Sequence, residues 1–273
     1  MDKYAVFGNP IAQSKSPLIH SLFALQTQQE LSYTAELIDV ASFAEDAGKM
    51  MRRLRGANVT VPFKQEAFEM VDLLSRRARQ AGAVNTIIRQ EDGSLMGDNT
   101  DGAGLVNDLT HNLHWVMSGK RILMLGAGGA VRGTICPILA QEPTLLHIAN
   151  RTKEKAAQLA QAFSGMGNLT SSGFDEIEGE FDIIINGTSA GLGGEVANIP
   201  ASCMGEHTAC YDMIYSLDGP TDFIAYVQGL GCQRVADGLG MLVEQAAEAF
   251  ELWRGVRPDT AKVIDYLRNE HQS

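Results

Sequence analysis

Two hydrophobic patterns alternate along this chain. Short apolar runs predict strands, and longer stretches with apolar residues three or four positions apart predict helices. Ser16 and Pro17 suit the N-cap and first position of a helix whose apolar face includes Leu25, and Ser42 with Glu45 forms a capping box for the next one. The strands predicted in the first half are residues 3–8, 33–40, 56–61 and a pair, 84–89 and 94–97, turning at Asp92-Gly93. The helices predicted there start at residue 16 and span residues 42–54 and 64–79.

A glycine-rich turn follows the apolar run 122–125. Gly126, Gly128 and Gly129 come directly after the predicted strand, and a helical pattern opens at Ala130. A strand, a tight glycine turn and a helix N-terminus together expose backbone N–H groups and the positive end of a helix to a pyrophosphate. This stretch therefore predicts a dinucleotide site.

The rest of the second half repeats the alternation, and polar or glycine-rich residues gather at the ends of its strands. Ligands of open parallel sheets bind beyond these carboxyl ends. The predicted strands are residues 145–149, 181–185, 209–213 and 232–236, and the predicted helices are 154–163, 221–228, 241–253 and 259–268. The whole pattern predicts an α/β protein with two domains, each containing a mostly parallel sheet, separated by a cleft.

Composition narrows the function classes. The 273 residues are 45% hydrophobic and 20% charged, with a net charge of −11, which disfavours nucleic-acid and anionic membrane surfaces. No signal-peptide pattern opens the chain, and no apolar stretch approaches the ~20 residues that span a bilayer. The four cysteines lack a C-x-x-C pairing, so we expect reduced thiols in a cytoplasmic protein. His111 and His114 have no further ligand nearby, and we expect no metal site.

The tip of the second strand of the dinucleotide unit indicates which cofactor binds. An NAD site places a carboxylate there to accept from the ribose 2′-hydroxyl. This chain instead offers an amide, a guanidinium and a hydroxyl from Asn150, Arg151 and Thr152, followed by Lys153 and Lys155. Such a set binds a 2′-phosphate, so the sequence favours NADP over NAD.

Several longer motifs resemble the shikimate/quinate dehydrogenase family from end to end. In the first half they are Ser14-Lys15-Ser16-Pro17, Asn58-Val59-Thr60-Val61-Pro62-Phe63-Lys64, Gly82-Ala83-Val84-Asn85-Thr86 and Gly97-Asp98-Asn99-Thr100-Asp101-Gly102. In the second half they are Gly126-Ala127-Gly128-Gly129-Ala130, Asn150-Arg151-Thr152, Asn186-Gly187-Thr188-Ser189-Ala190-Gly191 and Asp237-Gly238-Leu239-Gly240-Met241-Leu242.

The resemblance implies reversible NADPH-dependent reduction of 3-dehydroshikimate to shikimate in aromatic amino-acid and chorismate biosynthesis. It implies that Lys64 is the general acid/base and Asp101 its partner. The chemistry agrees, because hydride delivery to a ketone builds negative charge on oxygen and needs a positioned proton donor. Asp101 could also serve only as the N-cap of the helix that follows it.

Binding residues are implied in the same way. The resemblance gives substrate contacts to Ser14, Ser16, Thr60, Asn85, Tyr215 and Gln245. It gives cofactor contacts to Gly126, Ala127, Gly128, Gly129, Ala130, Asn150, Arg151, Thr152, Lys155, Thr188, Met213, Gly238 and Met241. By default, Met213 and Met241 are core methionines.

Two alternatives stay open at this point: a quinate/shikimate dehydrogenase with relaxed substrate choice, and a non-catalytic NADP-binding sensor. The predicted domains are a substrate domain over residues 1–101, a Rossmann-type NADP domain over 102–237, and C-terminal helices over 238–273 that pack back on the first domain. We expect hinge closure over the substrate, since hydride transfer requires the exclusion of water. Relatives in this family suggest a monomer or a homodimer.

Overall fold

The computed structural model describes residues 1–188 and 196–270, and these form two compact units. Unit 1 consists of Met1–Gly104 and Leu242–Leu267, and unit 2 consists of Leu105–Met241 with residues 268–270. The chain therefore begins in unit 1, passes through unit 2 and returns to unit 1. Every helix among the described residues is too short or too polar to traverse a lipid bilayer.

The elements alternate along the chain as the hydrophobic pattern predicts. The strands are β1 Asp2–Gly8, β2 Leu31–Leu37, β3 Gly56–Val59, β4 Leu73–Leu74, β5 Thr86–Arg89, β6 Leu95–Asp98, β7 Arg121–Leu125, β8 Leu145–Ala149, β9 Leu169–Ser172, β10 Phe181–Asn186, β11 Met204–Asp212 and β12 Arg234–Asp237. The α-helices are α1 Ser16–Thr27, α2 Phe43–Met51, α3 Lys64–Met70, α4 Arg76–Ala81, α5 Asp101–Asn107, α6 Gly129–Leu139, α7 Lys153–Ala162, α8 Asp222–Gly229, α9 Leu239–Arg254 and α10 Thr260–Glu270.

The sheet of unit 1 is mixed, with more parallel than antiparallel pairs. Within the described residues its strand order is β2-β1-β3-β5-β6-β4. β1 pairs in parallel with β2 and β3, and β4 with β6, whereas β5 runs antiparallel to β3 and β6. The β5–β6 hairpin turns where the sequence predicts, with Gly93 at φ 89° and the Asp92 carboxylate accepting from the Ser94 backbone.

The sheet of unit 2 is entirely parallel in its described part, with the order β12-β11-β10-β7-β8-β9. The chain starts at β7 in the centre, moves outward to β9 and then crosses back to β10. This is the strand order of doubly wound dinucleotide-binding sheets, in which ligands bind where the order reverses. β7 is buried on both faces, since Ile122 and Met124 enter one core cluster and Leu123 and Leu125 the other. The α/β class with a mostly parallel sheet in each half is therefore confirmed.

One predicted helix is wrong. The predicted helix 64–79 is broken into α3, the short strand β4 and α4. Asp72 exchanges hydrogen bonds with Leu95 through its backbone N–H and its carboxylate, and the Ser75 backbone donates to Gly97. Pairing with β6 thus competes with the helix, and the Ser75 hydroxyl then caps α4.

Three local predictions also need correction. The N-cap of α1 is Lys15 rather than Ser16, and the Ser14 hydroxyl accepts from the Ser16 backbone over 3.3 Å. Ser42 makes no side-chain cap at α2, because its hydroxyl donates to Asp46 instead. Leu25, placed on the apolar face of α1 from the sequence, is 77% exposed. The buried face of α1 is formed by Ser16, Ile19, His20, Phe23 and Ala24.

Partly buried ion pairs connect α9 to the rest of unit 1. Arg77 donates to Asp98 over 2.7 Å and to Glu248 over 3.0 Å, and Arg257 reaches the same Glu248 over 2.5 Å. Burial opposes the ionisation of Asp98, but hydrogen bonds from Arg77 and Ser75 hold the pKa of Asp98 below its ordinary value. These contacts explain why residues 242–267 belong to unit 1.

Candidate active site

Lys64 and Asp101 form the centre of a polar site in unit 1. The Lys64 Nζ donates to Asp101 Oδ2 over 2.6 Å, and the two side chains are 29% and 11% exposed. Lys64 begins α3 and Asp101 begins α5. The preceding Phe63 is fully buried and stacks on Phe43 with 4.4 Å between ring centroids, which anchors the backbone at Lys64. A partly exposed ammonium beside a largely buried carboxylate can hold and transfer a proton.

Asn85 contacts the same carboxylate, and Gln245 lies beside Asn85. The Asn85 Nδ2 donates to Asp101 Oδ1 over 2.8 Å and lies 3.5 Å from Gln245 Oε1. Asn99 Oδ1 accepts from the Asp101 backbone, so the first turn of α5 is capped by a neighbouring side chain. Four of the residues assigned to substrate or catalysis by the sequence resemblance are therefore brought together in unit 1.

The remaining substrate residues lie at three other places. Ser14 and Ser16 stand at the N-terminus of the twelve-residue α1, and Ser16 is buried. Thr60 follows β3, and its backbone donates to Phe7. Its methyl group would meet a Cβ on Gly8 at 2.6 Å, so a side chain at Gly8 would force Thr60 to shift. Tyr215 belongs to unit 2, where burial and the neighbouring Asp237 carboxylate raise its pKa.

The glycine turn of unit 2 joins β7 to α6. Gly126 has φ 105°, and a Cβ on it would lie 3.1 Å from the Gly187 backbone. That close approach occurs between the ends of β7 and β10, where the strand order reverses. Gly128 is the N-cap residue of α6, and Gly129 begins the helix. A Cβ at either of these two glycines would meet nothing within 4 Å, so the helix N-terminus is open to an anion.

The tip of β8 and the glycine turn line one cavity of about 1180 Å³. Of the basic residues there, Arg151 and Lys155 line it, whereas the Lys153 ammonium pairs with Glu176 over 2.7 Å and does not. The predicted cofactor residues on this cavity are Gly126, Ala127, Gly128, Gly129, Ala130, Asn150, Arg151, Thr152, Lys155 and Thr188. A dinucleotide fits this arrangement, because a glycine cradle, a helix N-terminus and cationic side chains share one space.

Part of the cavity wall was missed in the sequence analysis. Phe174 and Asp175 line it, as do residues 196–200. Phe174 follows β9, an edge strand that the sequence analysis does not predict. The sequence of β9, Leu-Thr-Ser-Ser, is followed by Gly173. A polar strand end of this kind was the sequence signal that could have indicated this part of the cavity wall.

Of the other predicted cofactor residues, Met213 follows β11, Gly238 follows β12 and Met241 lies in α9. The Met213 backbone donates to Asn186, and a Cβ on Gly238 would lie 2.3 Å from the Met213 carbonyl, so these ends are tightly packed. The Thr188 hydroxyl donates to Asn186 Oδ1 over 2.7 Å. Met241 is buried in the core of unit 2. Residues 189–191 of the motif that begins at Asn186 lie outside the described residues.

A doubly wound parallel sheet with a glycine cradle and a basic strand tip defines a dinucleotide-binding protein of the Rossmann class. The shikimate dehydrogenase (NADP(+)) of Cellvibrio japonicus is 52% identical over 271 residues, which are 98% of this chain and 98% of that protein. This chain belongs to the shikimate dehydrogenase family, as the sequence motifs predict.

Family models and solved structures agree with this assignment. The model of the shikimate dehydrogenase substrate binding domain matches residues 6–87, that of shikimate/quinate 5-dehydrogenase residues 108–192, and that of the shikimate 5′-dehydrogenase C-terminal domain residues 238–268. An Ael1 enzyme from Pseudomonas putida is 43% identical, with a TM-score of 0.92 and 98% coverage of each chain. Shikimate 5-dehydrogenase from Thermus thermophilus, solved with NADP(H) and shikimate, is 30% identical, with a TM-score of 0.86, and the match covers 98% of this chain and 99% of that one.

Proposed function

We propose that this protein is an NADP-dependent oxidoreductase that interconverts 3-dehydroshikimate and shikimate in chorismate and aromatic amino-acid biosynthesis. The observation that carries the proposal is the Lys64–Asp101 pair of 2.6 Å, which Asn85 also contacts through the carboxylate. Relatives named as NADP(+)-dependent shikimate dehydrogenases, about half identical over nearly the whole chain, support it.

Lys64 supplies the proton in the reduction. When bound in the cavity of unit 2, NADPH would supply the hydride that reduces the carbonyl carbon. As the carbonyl π pair moves onto oxygen, the Lys64 ammonium donates a proton to that oxygen, and the neutral amine then recovers a proton from water. Asp101 orients the ammonium through the 2.6 Å hydrogen bond. Oxidation of shikimate reverses these steps.

The proposed substrate contacts form two groups, one at the carboxylate of shikimate and one at its ring hydroxyls. Ser14 and Ser16 donate hydroxyl hydrogen bonds to the carboxylate at the positive end of α1, and the Ser16 hydroxyl turns from Tyr33 to the carboxylate when substrate binds. Each bond is worth about 1.5–3 kcal/mol because the acceptor is charged. Thr60, Asn85 and Gln245 hold the ring hydroxyls. Tyr215 adds a contact near the carboxylate.

The proposed cofactor site uses the cavity of unit 2. The backbone N–H groups from Gly126 to Ala130 bind the pyrophosphate, and Asn150, Arg151, Thr152 and Lys155 bind the 2′-phosphate. The nicotinamide end is assigned to Thr188, Met213, Gly238 and Met241. The proposed domains are residues 1–101 for substrate, 102–237 for NADP and 238–273 for C-terminal helices that pack back on the first domain. The grouping of Leu242–Leu267 with Met1–Gly104 in unit 1 supports this division.

Absorbance at the nicotinamide band tests the function. Purified protein is given shikimate or quinate, each with NADP⁺ or NAD⁺, and the rate of reduced-cofactor formation is recorded for the four pairs. We expect the highest kcat/KM for shikimate with NADP⁺. Comparable values for quinate would indicate the relaxed-substrate enzyme, and no turnover with any pair would indicate the sensor, which the named relatives do not favour.

Replacing Arg151 by alanine should weaken NADP⁺ binding far more than NAD⁺ binding. A guanidinium bonded to a phosphate contributes on the order of 1.5–3 kcal/mol, so we expect Kd for NADP⁺ to rise roughly 10- to 100-fold. Titration calorimetry with both cofactors measures it. Lys153→Ala is the matched control, since Lys153 pairs with Glu176 and does not line the cavity. Equal losses for the two cofactors would disprove the 2′-phosphate assignment.

Location and assembly belong to the same proposal. A cytoplasmic location is supported by the buried reduced thiols of Cys203, Cys210 and Cys232. A homodimer is the proposed assembly, and light scattering on the purified protein distinguishes it from a monomer.

A further inference from the structure

A continuous series of hydrogen bonds runs through the interior of unit 1 and ends on the Asp101 carboxylate. The Tyr33 hydroxyl lies 2.7 Å from Asn58 Oδ1, and Asn58 Nδ2 lies 3.1 Å from Thr86 Oγ1. Thr86 Oγ1 lies 2.9 Å from Asn85 Oδ1, and Asn85 Nδ2 lies 2.8 Å from Asp101 Oδ1. All five residues are buried. The proposed mechanism uses only the last two.

The orientation of the Asn58 amide is fixed by a backbone carbonyl. One of the two terminal amide atoms of Asn58 lies 3.2 Å from the backbone carbonyl oxygen of Asn85. A carbonyl oxygen can only accept a hydrogen bond, so this amide atom is the nitrogen, Nδ2. The oxygen then faces Tyr33, whose hydroxyl has to donate. Burial raises the pKa of Tyr33 well above its ordinary value, opposed in part by a hydrogen bond from Ser16, so the phenol keeps its proton.

The orientation of the Asn85 amide is fixed by a backbone N–H. The Thr100 backbone nitrogen lies 2.9 Å from one of the two terminal amide atoms of Asn85. A backbone N–H can only donate a hydrogen bond, so this amide atom is the oxygen, Oδ1. The Asn85 nitrogen therefore points to Asp101. Since Thr86 Oγ1 accepts from Asn58, its own proton goes to Asn85 Oδ1 at 2.9 Å, which is nearer than Thr100 Oγ1 at 3.4 Å.

Every donor in the series thus points toward Asp101. We infer that Tyr33, Asn58 and Thr86 are positioning residues that hold the Asn85 amide, and through it the Asp101 carboxylate, in the orientation that receives the Lys64 ammonium. This inference rests on the proposed function of Lys64 and Asp101. Hydrogen bonds linked in this way polarise one another, and a buried network keeps one arrangement only while all its members are satisfied.

Paired substitutions at Thr86 test the inference. Thr86→Val removes the hydroxyl while keeping the side-chain shape, and Thr86→Ser keeps the hydroxyl. We expect Thr86→Val to lower kcat about tenfold, the factor that one hydrogen bond supplies, with a smaller change in KM for shikimate. We expect Thr86→Ser to stay within about twofold of the parent protein, since it preserves the donor and acceptor.

Paired tyrosine substitutions provide a second, independent test. Tyr33→Phe removes the first donor of the series and should lower kcat about fivefold to tenfold. Tyr4→Phe is the matched control, because Tyr4 is also a buried tyrosine of unit 1 but its hydroxyl faces Arg254 rather than Asn58. Melting temperatures and shikimate affinity without cofactor are measured for all variants, so that a loss of folding is recognised.

Three results would overturn the inference: unchanged kcat in both Thr86→Val and Tyr33→Phe, equal losses in Thr86→Val and Thr86→Ser, or equal losses in Tyr33→Phe and Tyr4→Phe. The same assays separate it from the proposed function. If the parent protein does not oxidise shikimate, the function fails. If the parent does and the variants match it, only the positioning role fails.

Discussion

Replacing Lys64 by alanine should lower turnover of shikimate about 10²- to 10⁴-fold, which corresponds to roughly 3 to 5 kcal/mol of barrier. The alanine cannot protonate the developing alkoxide, and Asp101 is left without the ammonium that lies 2.6 Å away. Steady-state rates at the nicotinamide band measure the effect. NADP⁺ binding should be unchanged, because the proposed cofactor cavity is lined entirely by residues of unit 2.

Lys49→Ala is the matched control for this variant. Lys49 is an exposed lysine of unit 1 that pairs with Glu45 and Asp46 on the surface of α2. Its removal should leave turnover and NADP⁺ affinity as they are. Turnover in Lys64→Ala equal to that of the parent protein would rule out Lys64 as the acid.

Lowering the pH should destabilise unit 1 through His20. This histidine is fully buried and stacks on Tyr33 with 4.2 Å between ring centroids. Burial lowers the pKa of His20 from 6.5 to about 3. Below pH 6.5 His20 is protonated in the unfolded chain but stays neutral in the folded chain. The contribution of the neutral histidine to the free energy of unfolding is therefore fully present above pH 6.5 and is lost as the pH falls toward 3. The loss by pH 5 amounts to roughly 2 kcal/mol.

Urea denaturation of the parent protein and of His20→Phe at pH 7 and pH 5 measures this contribution. The free energy of unfolding should fall by about 2 kcal/mol more in the parent than in the variant over this interval. A packing defect alone would shift the variant by the same amount at both pH values. His147, whose pKa burial also lowers, titrates in both proteins and cancels in the difference. Parallel pH dependence of the two proteins would contradict the assignment.

Local sequence signals predict the elements around the cofactor site closely. β8 has the predicted bounds, and β7 and α6 each begin one residue earlier than predicted, since an apolar run directly before Gly126 leaves little freedom. Gly126 is required at that turn because its φ is 105° and because the Gly187 backbone approaches it closely. The glycine-rich motif therefore predicts the turn even though the partner strand is not visible in the local sequence.

Elements that depend on tertiary pairing were not predictable in this way. Residues 64–79 have a helical pattern, yet the hydrogen bonds between Asp72 and Leu95 and between Ser75 and Gly97 interrupt it, and both partners lie in β6. The exposure of Leu25 was not predictable from the local pattern either. The side of α1 that faces the core is determined by the packing of His20 and Phe23 against Phe250. A local pattern contains no information on such partners.

Some residues of the candidate site could be identified from the sequence, and others only from the structure. The resemblance supplied Lys64, Asp101 and Asn85, and the structure brings these three side chains into contact. Tyr33 and Asn58 were not assigned any role from the sequence, because they lie on β2 and β3, far along the chain from Asp101. Only the register of the sheet, in which Asn58 lies opposite Thr86, makes the series of hydrogen bonds visible.

A crystal structure of the protein with bound shikimate would show whether Lys64 and Asp101 hold the reacting end of the substrate. We expect the Lys64 Nζ and one Asp101 carboxylate oxygen to lie within about 3.2 Å of ring hydroxyls of shikimate, with its carboxylate at Ser14 and Ser16. Shikimate bound with every ring hydroxyl beyond hydrogen-bonding reach of Lys64 would contradict it.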